Sequence, residues 1–183
     1  DAPDPLIVAR ELPAGYRGRT ETEVRRSRFL CTLARADSED AARALIAEVR
    51  RELPDARHHC SAFVVEVPDA QPLERSSDDG EPAGTAGMPM LATLKGAGVS
   101  QAVAVVTRYF GGIKLGTGGL VRAYTDAVTQ ALDAAPRVRA VRRPLYRVRV
   151  EVAEFGRLQS DLLGEGVEVV GQSFGADAEL TLE

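Results

Sequence analysis

Five glycines lie between a continuous apolar run and an amphipathic pattern, and this arrangement is suited to binding an anion. Glycine permits positive φ angles and lets main-chain N–H groups approach a ligand, while the start of a following helix adds unpaired N–H donors. Segments of this kind typically bind phosphate. We name residues 108–122 the glycine-rich loop. Its candidate residues for binding phosphate, nucleic acid or a partner are Arg108, Tyr109, Phe110, Gly111, Gly112, Lys114, Gly116, Thr117, Gly118, Gly119 and Arg122.

The glycine-rich loop does not match the common nucleotide-binding signatures. Gly111 and Gly116 have the glycine spacing of a Walker motif, but Thr117 stands where that motif has its lysine. Val121 stands where the third glycine of a dinucleotide fingerprint packs the helix against the strand. Two interpretations stay open: an anion cradle made of N–H groups, or a tight turn that needs glycine for its geometry alone.

A second polar segment, which we name the acidic loop, precedes the next predicted helix. Its candidate residues are Asp78, Asp79, Gly80, Glu81, Pro82, Gly84, Thr85 and Gly87. Carboxylates could hold a divalent cation, but their spacing is not that of an EF-hand, so helix capping and loop ordering are favoured. The carboxylates could also pair with Arg108, Lys114 or Arg122, which would place both loops at one surface.

His58, His59 and Cys60 could indicate a metal site or a Cys–His nucleophile. A zinc site needs four ligands, and the chain has only two histidines and two cysteines. No acidic partner for a nucleophilic pair is evident, and a small buried cysteine is far commoner. We therefore predict no metal, no cofactor and no catalytic residue.

A run of arginines without acidic residues follows the last predicted helix of the first domain. Its members are Arg137, Arg139, Arg142, Arg143, Arg147 and Arg149. Such a basic patch could contact phosphates, and a solvated linker is the other interpretation.

The composition limits the class of protein. The 183 residues are 44% hydrophobic and 27% charged with a net charge of −4, so any site for a polyanion must be local. No apolar run approaches the roughly 20 residues that span a bilayer. Two cysteines cannot form a disulfide framework. These features predict a cytoplasmic protein without a membrane partner.

The hydrophobic periodicity predicts the elements that position these residues. Ala102–Val106 is continuously apolar, which is typical of a strand covered on both faces. Residues 68–87 are predicted to form a long loop and residues 136–144 a linker. The other predicted elements are strands near 29–35 and 61–67 and helices near 42–49, 88–95 and 121–132.

The linker sets the domain boundary, so we predict one domain over residues 1–136 and another over 137–183. The second has the order β-α-β-β, with alternation in Tyr146, Val148 and Val150 and a helix ending near Gly164. A unit of this size has an open edge and a small core, so we expect a further helix and strand after it.

Taken together, the motifs resemble those of the YigZ/IMPACT family. The motifs are Ser27–Phe29, His59–Cys60 with Ala62, Ser77–Pro82, Gly84–Pro89 and Arg108–Tyr124. The resemblance implies an α+β protein of two domains. The first is like the second domain of ribosomal protein S five, with a left-handed βαβ crossover, and the second is ferredoxin-like and similar to domain V of elongation factor G. Eukaryotic relatives act in translational control, by competing for the activator of a kinase that phosphorylates an initiation factor.

Three functions stay open. The favoured one is a translation-associated regulatory or binding protein without enzymatic activity, which contacts RNA, the ribosome or a translation factor through the glycine-rich loop and reads no DNA sequence. The second, suggested by the fold relationship to GHMP-type kinases, is a nucleotide- or phosphate-dependent enzyme that uses Asp78, Asp79 or Glu81 as metal or base group. The third is a protein-interaction module.

Overall fold

The computed structural model describes residues 6–142 and 144–183 as an α+β protein. The chain divides into two compact units, a larger one of Ala9–Ala140 and a smaller one formed mainly by Val141–Glu183. The strands are β1 (Leu6–Glu11), β2 (Arg17–Val24), β3 (Ser27–Arg35), β4 (His58–Val65), β5 (Leu73–Ser77), β6 (Val99–Ser100), β7 (Ala102–Tyr109), β8 (Val138–Arg142), β9 (Tyr146–Val150), β10 (Val169–Phe174) and β11 (Ala178–Leu182). The helices are α1 (Glu39–Glu52), α2 (Gly87–Gly96), α3 (Gly116–Ala134) and α4 (Phe155–Gly164).

A five-stranded antiparallel sheet in the order β2-β3-β7-β4-β5 forms the centre of the larger unit. The middle strand β7 is buried from Ala102 to Val106. Its residues Ala104 and Val106 belong to a core shared with α2 and α3, and Val103 and Val105 to a core shared with α1. Helices thus cover both faces, as the continuous apolar run predicted. Next to this sheet, β1 pairs in parallel with β6.

α1 and α2 begin and end close to the predicted positions, whereas α3 begins at Gly116, before the predicted position 121, so the second half of the glycine-rich loop is helical. Ser38 caps α1, because its side chain accepts a hydrogen bond from the N–H of Ala41 at 3.1 Å. In α3, Tyr124 is fully buried, and its ring lies edge-on to that of Phe29 with centroids 5.3 Å apart. The largest fully buried side chain of the core, that of Tyr124, therefore lies on α3 just after the glycine-rich loop.

Five strands lie where the sequence predicted none, namely β1, β2, β5, β6 and β8. β2 falls in the charged segment before β3, β5 in the predicted long loop and β8 in the predicted linker. β2 and β5 are the two edges of the five-stranded sheet. An edge strand keeps charged side chains in solvent, so it lacks the apolar pattern by which strands are predicted.

The smaller unit has the predicted order β-α-β-β. Its three strands form an antiparallel sheet in the order β10-β11-β9. Ala178, Leu180 and Leu182 of β11 are buried on one face, and the rings of Phe155 and Phe174 lie 4.7 Å apart. No helix among the described residues is long and apolar enough to cross a membrane.

Candidate functional site

A cleft of about 890 Å³ opens where the glycine-rich loop meets the acidic loop. The glycine-rich loop contributes Phe110, Lys114 and Thr117 to the lining, and the acidic loop contributes Glu81. The structure therefore brings together two segments that are separated in the sequence by residues 88–107. Asp55, Ala56, Arg57 and His58, at the start of β4 and just before it, form a further wall that the sequence did not indicate.

A buried ion pair lies beneath this cleft. Nη1 of Arg108 donates to Oε1 of Glu81 at 2.7 Å, and the hydroxyl of Tyr124 donates to the same oxygen at 2.8 Å. Only 7% of Arg108 and 8% of Glu81 are exposed, and the Arg108 guanidinium lies 5.6 Å from the ring centres of Phe29 and Phe110. The pairing of an acidic-loop carboxylate with Arg108, which the sequence offered, is therefore present at the floor of the cleft, and Glu81 compensates the charge of Arg108. A ligand-binding role of Arg108 stays a prediction.

Burial also controls the ionisation of the groups next to this pair. It raises the pKa of Tyr124, so the hydroxyl remains a hydrogen-bond donor to Glu81. It raises the pKa of Cys60 to about 12, and that thiol donates to the carbonyl of Asp78 at 3.0 Å. The pKa of buried Cys31 is likewise raised to about 12. Both cysteines are therefore inert packing residues, in agreement with the favoured interpretation of Cys60.

Gly111 holds the glycine-rich loop against the turn between β2 and β3. A Cβ atom at Gly111 would collide with the backbone of Arg26 and Ser27, so no other residue fits. The N–H of Gly111 donates to Oγ of Ser27 at 3.2 Å, which fixes the contact. Glycine is therefore required for geometry at this position. Tyr109 is the last residue of β7 and pairs with Arg28 of β3, whose guanidinium lies 5.6 Å from its ring centre.

The start of α3 supplies the donors of the cleft. Leu115 precedes the helix and provides no side-chain cap, so the first N–H groups of α3 are left for solvent or a ligand. Gly116 and Thr117, at this start, line the cleft and are exposed. Gly112 and Gly116 have φ angles of +87° and +73°. The interpretation as a tight turn is thus supported at Gly111, and the interpretation as an anion cradle is supported at Gly116, where α3 begins.

Two cations of the lining lack a carboxylate partner within residues 6–142 and 144–183. Lys114 and Arg57 are exposed and are in no ion pair there. The lining of the cleft also contains the exposed carboxylate of Asp55. Gly118, Gly119 and Arg122 lie further along α3, outside the lining.

Asp78 orders the acidic loop and caps α2. Its Oδ1 accepts hydrogen bonds from the N–H groups of Gly87 at 2.8 Å and Ala86 at 3.1 Å, and its Oδ2 accepts from Gly84 at 2.8 Å. Burial alone would raise the pKa of Asp78, but these three donors outweigh it, and the pKa lies below its ordinary value. Gly87 itself packs so closely on the backbone of Ser77 that a Cβ would lie 2.7 Å from its nitrogen. The favoured capping role of the loop is therefore present.

Asp79 ties the acidic loop to α1 and β4. It accepts from Nη2 of Arg50 at 2.9 Å and from the N–H of His59 at 2.7 Å. Burial opposes ionisation here too, but the bonds from Arg50 and His59 hold the pKa of Asp79 below its ordinary value. Nδ1 of His58 lies 2.9 Å from the Asp79 carbonyl oxygen. Within the described residues, no three His, Cys, Asp or Glu side chains form a group that could hold a metal ion.

The rest of the acidic loop is a compact turn. Gly80 and Gly84 have positive φ angles, and the Thr85 hydroxyl donates to the carbonyl of Pro82 at 2.6 Å. His59 is 2% exposed and lies 3.0 Å from the Thr107 hydroxyl through Nδ1. Burial, reinforced by Arg50, lowers the pKa of His59, so this ring is neutral near pH 7.

The arginine run is divided between the two units. Arg137 and Arg139 are exposed in the larger unit, and Arg147 and Arg149 lie on β9 of the smaller one. Arg149 lies 3.4 Å from Glu179, which compensates part of its charge. For Arg142 only the backbone, within β8, is described, and Arg143 lies outside the described residues. A role of these arginines in phosphate contact stays a prediction.

Comparison with known proteins gives consistent matches. The family model of the Impact N-terminal domain matches residues 25–132, a range that contains both loops of the cleft. The IMPACT family member YigZ of Escherichia coli (strain K12) is 49% identical over 143 residues, which cover 78% of this chain and 70% of that protein.

Two solved structures are also similar. A crystal structure of a hypothetical protein has 41% sequence identity and a TM-score of 0.72, and the match covers 95% of this chain and 84% of that one. The two-domain translational regulator Yih1 has 26% identity and a TM-score of 0.44, and the match covers 66% of this chain and 48% of that one. The family model alone spans more than half of the sequence, and the chain therefore belongs to the IMPACT family.

Proposed function

We propose that this protein binds a phosphate-bearing segment of RNA in its cleft and acts with the translation machinery in the cytoplasm. The observation that carries the proposal is the pairing of two uncompensated cations, Lys114 and Arg57, with the uncapped start of α3 in one lining. Arginine and lysine side chains and helix N–H groups are the usual partners of phosphate oxygens in RNA complexes.

An exposed aromatic ring favours a nucleic acid over a simple anion. Phe110 lines the cleft and is 59% exposed. Bases of single-stranded RNA stack on such rings, and each stack contributes about 1–3 kcal/mol. The guanidinium of Arg108 supports the ring at 5.6 Å from its centre.

Family membership supports the link to translation, because the eukaryotic proteins that the sequence resembles act in translational control. The enzymatic alternative has less support. It would use Asp78, Asp79 or Glu81, and each of these carboxylates already has its own partners: backbone N–H groups, Arg50 with His59, and Arg108 with Tyr124, respectively. Phosphoryl transfer through these residues would need one of the three carboxylates to be left over for a metal ion or a nucleophile.

Binding of a labelled oligouridylate of about 12 nucleotides, measured by fluorescence anisotropy between about 50 and 200 mM salt, tests the proposal. We expect binding by the wild-type protein at low salt. Lys114→Ala and Arg57→Ala should each weaken it and reduce the slope of log K against log salt by about 0.7, the value for one lost phosphate contact on a single strand.

Matched controls separate the cleft from general charge. Lys95→Ala removes the other lysine, which pairs with Glu74, and Arg51→Ala removes an exposed arginine of α1; neither residue lines the cleft. Both controls should bind as the wild type does. Absence of oligouridylate binding at low salt would refute the proposal, as would equal weakening by the controls. Binding of polyglutamate in place of oligouridylate would favour the protein-interaction module, and co-sedimentation with ribosomes checks the link to translation.

A further inference from the structure

The turn between β2 and β3 is built from residues that its geometry does not favour. Pairing continues to Val24 opposite Ser27, so Arg25 and Arg26 alone form the loop. Both lie in the left-handed region, with φ angles of +46° and +67°. Asn-Gly is the pair that forms such a two-residue turn with least strain. The backbone conformation of the turn therefore does not explain why both positions are arginine.

This turn is joined to the glycine-rich loop. Nη1 of Arg25 lies 3.4 Å from the carbonyl oxygen of Lys114, whose side chain lines the cleft. On the other side, Gly111 packs directly on the backbone of Arg26 and Ser27. Arg25 is thus held next to the cleft by its side chain, and Arg26 by its backbone.

The charges of the turn are not neutralised within the described part of the chain. Arg25 and Arg26 are exposed, and neither forms an ion pair with a described carboxylate. The neighbouring Arg28 differs, because it donates two hydrogen bonds to Glu21 at 2.6 and 3.0 Å. Arg25, Arg26 and Lys114 therefore form a positive rim that continues from the cleft across the turn.

We infer that this turn is a second phosphate-binding site, so that the ligand is a single-stranded oligonucleotide running from the cleft across the β2–β3 turn and not a mononucleotide. The inference rests on the proposed function and extends it. One phosphate lies at Lys114 and the start of α3, and a following phosphate lies at Arg25 and Arg26. Two adjacent contacts explain why the cations continue beyond the cleft.

The double variant Arg25→Asn/Arg26→Gly tests this without loss of the fold. It gives the turn its preferred residues and should raise the melting temperature. We expect its affinity for the oligouridylate of about 12 nucleotides to fall roughly tenfold and its salt slope to fall by about 0.7, the value for the one phosphate held at the turn. Weak binding of uridine monophosphate should be unchanged, and Arg25→Lys/Arg26→Lys should keep most of the oligouridylate affinity.

The outcomes separate the two proposals. Unchanged oligouridylate affinity and slope in the Asn/Gly variant, together with weakening in Lys114→Ala, would overturn this inference and leave the cleft proposal standing. Equal weakening of uridine monophosphate and oligouridylate would also overturn it, because the turn would then not contact a separate phosphate. Failure of the wild type to bind oligouridylate would overturn both proposals. Loss of oligouridylate binding in a variant that melts higher supports the second site.

Discussion

At the scale of single residues, Glu81 is the group on which the cleft floor depends. Its Oε1 accepts hydrogen bonds from both Arg108 and Tyr124, two side chains that are almost completely buried. A buried guanidinium is stable only with a partner, because its desolvation is otherwise uncompensated. The sequence offered Arg108 as a possible partner of the acidic loop, and the structure confirms that pairing for Glu81, but nothing in the sequence indicated the second partner, Tyr124.

Glu81→Ala should lower the free energy of unfolding of the larger unit by about 3–5 kcal/mol, because it leaves Arg108 buried without a carboxylate. Glu81→Gln should cost less, since its amide oxygen still accepts from Tyr124. Urea denaturation measures both. The control is Glu74→Ala, which removes a half-exposed partner of Lys95 and should cost less than about 1 kcal/mol. Equal costs at Glu81 and Glu74 would contradict the structural role given to the buried pair.

At the scale of elements, α2 begins where a distant carboxylate caps it. Ala86 precedes the helix and offers no side-chain cap, and Asp78 accepts from the N–H groups of Ala86 and Gly87 instead. The same side chain holds Gly84, so the acidic loop and the helix start form one unit. Loss of the Asp78 charge should loosen both together.

Asp78→Asn should destabilise the larger unit by about 1–2 kcal/mol at pH 7. The pKa of Asp78 in the folded protein lies below its ordinary value of about 3.9, so the charge stabilises the fold fully above that value. This stabilisation is lost as the pH falls through the lowered pKa. The difference between wild type and variant should therefore shrink below about pH 4. Urea denaturation at neutral and acidic pH measures it, with exposed Asp133→Asn on α3 as control. A difference that does not change with pH would refute the capping role.

Several elements could be predicted because their pattern reflects their packing. The apolar run of β7 and the helical faces of α1 and α3 follow directly from burial. β2 and β5 could not, because an edge strand with Glu74 and Arg75 in solvent has the composition of a loop. The wall with Arg57 was also missed, since it comes from the connection before β4 and meets the glycine-rich loop only through the pairing of β4 with β7. Hydrophobic periodicity indicates which residues face a core, but it does not indicate which loops lie next to each other at the end of a sheet.

At the scale of the whole molecule, the two units differ in how much they bury. In the larger unit, the central strand is fully buried from Ala102 to Val106 between helices. In the smaller unit, α4 has no buried residue, and the buried apolar side chains are Ala178, Leu180 and Leu182 among its described residues. Local stability follows buried contacts, so the units should open independently.

Hydrogen exchange followed by mass spectrometry should show this difference. After correction for intrinsic rates, amides of β7 should exchange at least about a hundredfold more slowly than those of β10 and β11. The comparison is internal, because all three strands are in one chain under one condition. Similar protection in the two units would show that they unfold as one cooperative body and would contradict this expectation.

The two buried thiols also make the chain convenient for spectroscopy. Cys31 and Cys60 are 0% exposed, and the pKa of each is raised to about 12, so neither should react with a maleimide while the protein is folded. The sequence contains no tryptophan. A cysteine in place of half-exposed Ile113 would therefore carry a dye at a single position. A tryptophan in place of Phe110 would be the sole indole of the molecule, reporting directly on what enters the cleft.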